Sequence, residues 1–301
     1  MKMSKLSGEE LERYREVGKL LAGVREELRK AVKPGVKILD IAEMAEDLIR
    51  QRGAKPAFPC NVSVNEIAAH YSPPAGDQTV IGENDVVKVD IGAHLDGYIA
   101  DTAFTVAQGE NLRLVEAAEK ALEAAISAVR PGIDVGEIGK AIQQAAEAAG
   151  FRTIRNLTGH SLARWDLHAG LSIPNVAETT GQLLEVGDVL AIEPFVTTGV
   201  GFVEDLESVY IFRYQRDVPV RLRMTRQLLR EIKQAYGPLP FAERWLSKRF
   251  SRVRLELCLK ELVGSGAIWP YHVLAERSGG KVAQAEHTVI VTDDGCEVTT
   301  L

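Results

Sequence analysis

Residues 86–106, with the sequence VVKVDIGAHLDGYIADTAFTV, are the most informative stretch of this chain. Two apolar runs rich in β-branched residues flank an Asp-Gly pair, which is a strong short-range indication of a β-hairpin. Asp90 and Asp101 lie equally far from the predicted turn. We therefore expect the hairpin to place these two side chains opposite each other on one face.

The two aspartates need an explanation, because opposed carboxylates roughly 5 Å apart at Cβ repel each other and destabilise a hairpin. The second strand contains no Lys or Arg that could neutralise them. A metal ion between them is the physical candidate for the missing positive charge. The alternative is that one of the two aspartates points to solvent near the turn.

A second pattern is an internal repeat. Residues 31–41 (AVKPGVKILDI) align without a gap with residues 128–138 (AVRPGIDVGEI), and the predicted helices that follow end at Gly53 and Gly150, at the same offset. Matching features at a fixed offset are the sequence signature of a repeated unit. The chain is therefore predicted to contain two related half-domains.

The repeat also relates acidic residues. The segments DVVKVD and DVLAIE match Asp90 with Glu193, and the segments ADTAFTV and AEHTVIV match Asp101 with Glu286. Two half-domains related by a pseudo-twofold axis would bring all four carboxylates to one centre. Because converging carboxylates cannot all stay ionised without cations, we expect two divalent ions among them.

Length and composition set the broad class of protein. The chain has 301 residues, 46% of them hydrophobic, and can bury a large core in one or two domains. Its three cysteines are far apart, so neither a disulfide framework nor a thiolate zinc site is indicated. It has no signal-peptide pattern and no apolar run of membrane-spanning length. We expect a cytoplasmic protein with no membrane partner.

The order of predicted elements indicates an α/β (α+β) fold. Helical spacing predicts a first helix after a capping box formed by Ser7 and Glu10, and a second helix over about residues 38–52. The same pair recurs over about residues 112–130 and 135–149. A strand over residues 189–195 is then expected to carry Glu193 of the second half.

The repeat is interrupted in its second half, because the expected partner strand arrives only at Ala285. Helices are predicted inside the intervening segment near residues 224–236, 241–250 and 252–262. Residues 213–261 hold 13 Lys and Arg against 5 Asp and Glu, a net charge of +8, so the net charge of −6 for the chain leaves −14 elsewhere. Such a basic unit indicates contact with a polyanion such as ribosomal RNA, or only solvated helix faces.

These features predict two structural units. The expected units are a catalytic domain of residues 1–204 and 272–301, with half-repeats of about 7–106 and 107–301, and a helical insertion of residues 205–271.

Histidines are the next candidates for the metal site. His160, in a Gly-His pair before the acidic strand of the second half, is the best candidate ligand. His70 and His168 hold matching places in the two halves, which suits two groups that flank the metals. His94 is expected in the exposed hairpin turn, and His287 should point away from Glu286 because neighbouring strand residues face opposite sides.

The predicted ligands are oxygens with a single imidazole and no thiolate. This set fits Mn, Fe, Co or Zn, and affinity alone does not choose among these metals. Two such ions lower the pKa of a bound water and polarise a carbonyl group. The residues therefore indicate hydrolysis of an amide or an ester.

Five motifs together resemble the type 2 methionine aminopeptidases over nearly the whole chain, from about residue 7 to residue 301. They are FPCNVSVNEIAAHYSP, VDIGAHLDGYIADTAFTV, GHSLARWDLHAG, IEPFVTTG and VAQAEHTVIV. The resemblance implies the pseudo-twofold pita-bread fold. It also implies a winged-helix-like insertion in the second half, where residues 205–271 lie, and an archaeal type of enzyme.

Matched motif by motif, the resemblance implies roles for individual residues. The implied metal ligands are Asp90, Asp101, His160, Glu193 and Glu286, with Asp101 and Glu286 bridging two ions. His70 and His168 are implied to contact the scissile peptide, and Glu193 to move protons. Phe58, Leu167 and Phe195 match positions that line the methionine pocket, and each of the three could equally be an ordinary core residue.

The implied function is removal of the initiator methionine from nascent chains when the second residue is small, by attack of metal-bound hydroxide on the scissile peptide. The family implies a monomer. One alternative is a proline-directed pita-bread peptidase of the prolidase or aminopeptidase P type, which uses the same five ligands. A second alternative is a pita-bread protein that binds partners without catalysis, although such a protein has no physical need for clustered acids.

Overall fold

The computed structural model describes residues 6–247 and 249–301. Residues 1–5 of the predicted catalytic domain and residue 248 of the predicted insertion lie outside the described residues. The helices are α1 (Gly8–Ala31), α2 (Ile38–Gln51), α3 (Leu112–Ala128), α4 (Val135–Ala148), α5 (Arg223–Tyr236), α6 (Glu243–Ser247) and α7 (Arg252–Gly264). The strands are β1 (Lys55–Pro56), β2 (Asn61–Val64), β3 (Ile67–Ala69), β4 (Val87–Leu95), β5 (Tyr98–Val106), β6 (Arg152–Thr153), β7 (Thr158–Leu162), β8 (Ser172–Pro174), β9 (Val189–Ile192), β10 (Phe195–Thr197), β11 (Val203–Tyr214), β12 (Pro240–Ala242), β13 (Ile268–Glu276), β14 (Val282–Gln284), β15 (His287–Val291) and β16 (Cys296–Val298).

Two matching helix pairs confirm the predicted repeat. The pair α1 and α2 precedes the strands of the first half, and the pair α3 and α4 precedes those of the second half. Gly53 and Gly150, which follow α2 and α4, both have a φ of 85°, a left-handed conformation that favours glycine. The predicted capping box is present, because Ser7 Oγ accepts from the Glu10 amide and the Glu10 carboxylate accepts from the Ser7 amide.

The predicted hairpin is formed by β4 and β5, but its register differs from the expected one. Asp96 and Gly97, with φ values of 49° and 91°, form a two-residue turn, so the turn centre lies one residue later than expected. Asp90 consequently pairs with Ala103, and Asp101 pairs with Gly92. The expectation of directly opposed aspartates was wrong. The two side chains lie diagonally on the same face.

The acidic segments of the second half are not continuous strands. Glu193 lies between β9 and β10, and Glu286 lies between β14 and β15. At these breaks the chain passes from one sheet to another, because β9 pairs with β15 whereas β10 pairs with β14. Pro194 follows Glu193 and has no amide hydrogen for a ladder bond, which explains why the predicted strand over residues 189–195 is interrupted.

Each half has its own apolar core. The helices α1 and α2 pack on β4 and β5 through buried residues such as Val17, Leu28 and Ile91. The helices α3 and α4 pack on the strands of the second half through residues such as Leu114 and Ile142. The carboxylates of the predicted site lie where the strands of the two halves meet.

The segment after β10 contains the three predicted helices, as α5, α6 and α7, together with strands. The long strands β11 and β13 pair with each other, and β12 and β3 complete a four-stranded sheet in the order β12-β11-β13-β3. The helix α6 is shorter than expected because residues 240–242 form β12. The predicted boundaries near residues 205 and 271 fall inside β11 and β13, and the division into two units stays a prediction.

Candidate metal centre

Four acidic side chains and His160 gather between the two halves. His160 Nε2 lies 3.7 Å from Asp101 Oδ2 and 3.5 Å from Glu193 Oε1. One ligand atom each from Asp101, His160 and Glu286 lie within 4.8 Å of one another, and all three residues are buried. Asp90 interacts electrostatically with the other three carboxylates. The structure therefore brings together the five residues that the sequence predicted as ligands.

Two amide side chains, which sequence reasoning missed, contact these carboxylates. Asn61 Nδ2 donates to Asp90 Oδ2 over 3.3 Å. Gln284 Nε2 lies 3.4 Å from carboxylate oxygens of both Glu193 and Glu286. Asn61 pairs with Asp90 across β2 and β4, and Gln284 stands two residues before Glu286. These contacts hold the carboxylate groups in fixed orientations.

The electrostatics of the cluster are those of a site built for cations. Burial raises the pKa of Asp90 to about 7. The pKa values of Asp101, Glu193 and Glu286 are raised well above their ordinary range, first by burial and then by repulsion from the neighbouring carboxylates. Burial lowers the pKa of His160 to about 3, so its imidazole is neutral and available as a ligand.

Unpartnered polar atoms also fit a metal site. Asp90 Oδ1, Asp101 Oδ1 and His160 Nδ1 are buried and have no hydrogen-bond partner in the structure. Buried polar atoms are nearly always paired, so such a concentration of unpaired ones requires an explanation. The residues present fit divalent cations, because carboxylate oxygens with one imidazole form a normal ligand set for several of these metals.

Most of the predicted substrate contacts line one cavity beside the cluster. This cavity measures about 80 Å³, and Phe58, Leu167, His70 and His168 are among its lining residues. Phe195 does not line it. Phe195 instead lines a neighbouring cavity of about 280 Å³, whose walls also include His70 and His168. The two histidines therefore stand between the two cavities.

Both histidines are held near the cluster in a neutral form. Burial lowers the pKa of His70, whose Nδ1 lies 3.0 Å from the carbonyl oxygen of His272. His70 has a φ of 63°, which is uncommon for a residue other than glycine. The centroids of the His168 and His160 rings lie 4.5 Å apart. Burial, followed by repulsion from Arg213, lowers the pKa of His168 to about 4.

Two further histidines, His94 and His287, differ in how well the sequence predicted their surroundings. His94 is buried rather than exposed, because Trp165 covers it with a ring-centroid distance of 4.9 Å. Its Nδ1 accepts a hydrogen bond from the Gly97 amide. His287 faces away from the cluster, as expected, and contacts Arg25 and Thr300.

The segment inserted in the second half also lines the smaller cavity. Ile211 of β11, Pro240 of β12 and Tyr271 of β13 are part of its wall. The Tyr271 ring lies 5.4 Å from the His70 ring between centroids, in an edge-to-face arrangement. Sequence reasoning missed these three residues, because neither an acid nor a histidine marks them.

Gly92 explains why Phe58 can reach the cavity wall. A Cβ atom at Gly92 would lie 2.1 Å from Phe58 Cε1, far inside van der Waals contact. Gly92 pairs with Asp101 in the hairpin, so the Phe58 ring packs directly on the strand pair that carries the carboxylates.

Comparison with known proteins agrees with this geometry. Residues 12–293 match the model of metallopeptidase family M24, and the chain belongs to this family. It is 51% identical over 294 residues to the methionine aminopeptidase of Methanothermobacter thermautotrophicus, covering 96% of this chain and 98% of that protein. It is also 51% identical to the methionine aminopeptidase of Pyrococcus horikoshii, covering 95% and 97% of the two chains.

A crystal structure supports the same fold. The methionine aminopeptidase of Thermotoga maritima superposes with a TM-score of 0.73 at 27% identity, over 99% of each chain. The pita-bread architecture and the resemblance to methionine aminopeptidases are thereby confirmed. Within the described residues, no helix combines the length and the apolar character needed to cross a membrane.

Proposed function

We propose that this chain removes N-terminal methionine from nascent proteins and peptides, with a preference for a small second residue. The observation that carries the proposal is the buried cluster of four carboxylates and one imidazole, drawn from both halves. The names of the relatives, which are about 50% identical over nearly their full lengths, support methionine as the residue removed.

The cluster would hold divalent ions, and its four carboxylates have enough negative charge for two of them. When bound, Co, Mn, Fe or Zn would supply a water of lowered pKa and would polarise the scissile carbonyl. The ligands would be Asp90, Asp101, His160, Glu193 and Glu286. Asp101 and Glu286, 3% and 2% exposed, are the deeper pair, and they are the two carboxylates that the family resemblance implies would be shared by the ions.

The protein groups beside the cluster would orient the substrate. His70 and His168 are neutral at pH 7. The Nδ1 hydrogen of His70 is directed at the carbonyl oxygen of His272, so its Nε2 would accept a hydrogen bond from the substrate, whereas His168 offers one N–H donor to the scissile peptide or to the tetrahedral intermediate. Glu193, deprotonated as a metal ligand, would accept a proton from the nucleophile and return it to the leaving amine, the role that the family resemblance implies for it.

The smaller cavity suits the methionine side chain. Phe58 and Leu167 supply apolar walls, which an unbranched thioether can fill. Phe195 lines the neighbouring cavity, so we place it against the residues that follow methionine. The preference for a small second residue rests on the resemblance to the methionine aminopeptidases, since the neighbouring cavity of about 280 Å³ does not by itself restrict the size of that residue.

Comparison of three peptides tests the reaction. With Mn²⁺ or Co²⁺ present, the purified chain should hydrolyse Met-Ala-Ser and leave Leu-Pro-Ser and Leu-Pro intact. Cleavage of Leu-Pro-Ser or of the dipeptide Leu-Pro, without cleavage of Met-Ala-Ser, would instead identify a proline-directed peptidase of the aminopeptidase P or prolidase type. A lack of hydrolysis with each of the four metals would favour a non-catalytic binding protein.

We further place the protein in the cytoplasm as a monomer that meets its substrates at the ribosome. The basic segment supports this contact, because α5 exposes Arg223, Arg226 and Arg230 and α7 exposes Arg252 and Arg254. Association with ribosomes should weaken as salt increases. Replacement of Arg226 and Arg230 by glutamine should reduce both the association and its salt dependence, and an unchanged salt dependence would contradict the contact.

A further inference from the structure

A buried arginine lies behind the cluster, on the side away from the cavity. Arg25 projects from α1 and is 7% exposed. Its Nη1 lies 3.2 Å from Thr102 Oγ1, 3.1 Å from His287 Nδ1 and 2.6 Å from the carbonyl oxygen of Thr300. Its ion pair among the described residues is with Glu26, whose side chain is 54% exposed. The guanidinium therefore donates hydrogen bonds mainly to neutral acceptors inside the protein.

Two of these acceptors stand next to proposed metal ligands. Thr102 follows Asp101, and His287 follows Glu286. Neighbouring residues in an extended chain point to opposite sides, so Thr102 and His287 face α1 while the carboxylates face the cluster. One guanidinium thus contacts the back of both segments that carry the deepest carboxylates.

Further hydrogen bonds join the same two segments. Thr102 Oγ1 donates to the carbonyl oxygen of Glu286 over 2.7 Å. Thr288 Oγ1 donates to the carbonyl oxygen of Asp101 and accepts from its amide, both over 2.8 Å. Since the Thr102 hydroxyl hydrogen is used toward Glu286, its lone pairs are free to accept from Arg25.

We propose that Arg25 is a positioning residue for the metal centre, which fixes the separation of the Asp101 and Glu286 carboxylates through Thr102 and His287. This inference rests on the proposed function, because it assigns these carboxylates to divalent ions. Charged donors form stronger and more directional hydrogen bonds than neutral ones. Partners that orient metal ligands typically change metal affinity by roughly 10-fold to 100-fold when they are lost.

The test compares binding of Mn²⁺, measured by isothermal titration calorimetry, between matched variants. Arg25→Met keeps the aliphatic stem and removes the hydrogen bonds, and it should weaken Mn²⁺ binding by roughly 10-fold to 100-fold. Arg15→Met is the control on the same helix, because Arg15 is exposed and pairs with Glu297 instead. It should bind Mn²⁺ as the unmodified protein does.

A second pair of variants keeps the test decisive if Arg25→Met does not fold. Thr102→Val keeps the side-chain shape without the hydroxyl and should weaken Mn²⁺ binding. Thr102→Ser keeps the hydroxyl and should bind Mn²⁺ as the unmodified protein does. The visible absorption spectrum of bound Co²⁺ should change in Arg25→Met and Thr102→Val alone, since it reports ligand geometry.

The outcomes separate this inference from the proposed function. If the unmodified protein neither binds Mn²⁺ nor cleaves Met-Ala-Ser, the proposed function fails. If it does both, and folded Arg25→Met or Thr102→Val keeps its Mn²⁺ affinity and Co²⁺ spectrum, then only the positioning role of Arg25 is overturned.

Discussion

The two halves of the molecule supply equivalent acids by different backbone routes. In the first half, Asp90 and Asp101 lie on adjacent regular strands joined by a two-residue turn. In the second half, Glu193 and Glu286 lie at breaks between strands, and a long segment separates them in sequence. Each half nevertheless contributes one deeply buried acid and one partly exposed acid. The two halves therefore match in the positions of their carboxylates, although the backbone structure at the acidic residues differs between them.

The largest expected effect tests whether the two deeply buried acids are equivalent. Asp101→Asn and Glu286→Gln should each lower kcat/KM for Met-Ala-Ser on the order of a thousandfold, because each removes a charge proposed to be shared by two ions. Steady-state kinetics with measured metal content would check this. Asp96→Asn in the exposed turn is the control and should retain activity. Near-normal turnover in either buried variant would break the equivalence of the halves.

Metal-dependent stability should depend on pH. Because the carboxyl pKa values are raised in the folded protein, the protonated carboxyl groups favour the metal-free fold at low pH. This contribution to stability is lost as the pH rises through the folded-state pKa, which is about 7 for Asp90. Metal binding requires deprotonated carboxylates, so affinity should rise about tenfold, or ~1.4 kcal/mol, between pH 6 and pH 8 for each group with a pKa near 7.

Thermal unfolding with Mn²⁺ and with EDTA, at pH 6 and at pH 8, measures this effect. The melting temperature gained on adding Mn²⁺ should be larger at pH 8. Groups that titrate alike in the metal-bound and the metal-free protein, such as the buried Lys88, do not affect the difference between the melting temperatures with Mn²⁺ and with EDTA. Asp101→Asn should reduce the pH dependence, and a gain that is equal at the two pH values would contradict the cluster as the binding site.

A smaller effect is expected from the packing of the first-half hairpin. Gly92→Ala would place a methyl group inside the Phe58 ring position and force that ring to move. We expect kcat/KM for Met-Ala-Ser to fall about fivefold, ~1 kcal/mol, mainly through KM. Gly23→Ala on α1 is the matched control, because a Cβ there meets no atom within 4 Å. Equal values of kcat/KM for the two variants would contradict the proposal that Phe58 lines the substrate pocket.

The sequence predicted the site where local rules govern it. Alternation along β4 and β5 placed Asp90 and Asp101 on one face, and the repeat pointed to Glu193 and Glu286. The exact register of the hairpin was missed, because it depends on which two residues form the turn. The burial of His94 was missed as well, since Trp165, which covers it, comes from a distant part of the chain.

Contacts between distant segments explain the other omissions. Tyr271 and Pro240 reach the cavity only because β11, β12 and β13 form one sheet, and no local pattern specifies that arrangement. Arg25 looks like any other charged residue of an amphipathic helix until α1 is packed behind the strands. Such residues become recognisable only from coordinates.

Anomalous X-ray diffraction from crystals grown with Mn²⁺ is the most direct test that both halves build one metal centre. We predict two anomalous peaks among Asp90, Asp101, His160, Glu193 and Glu286, with Asp101 and Glu286 each contacting both ions. An active crystal form with no peak among these residues, or with peaks bound by residues of one half alone, would contradict the account.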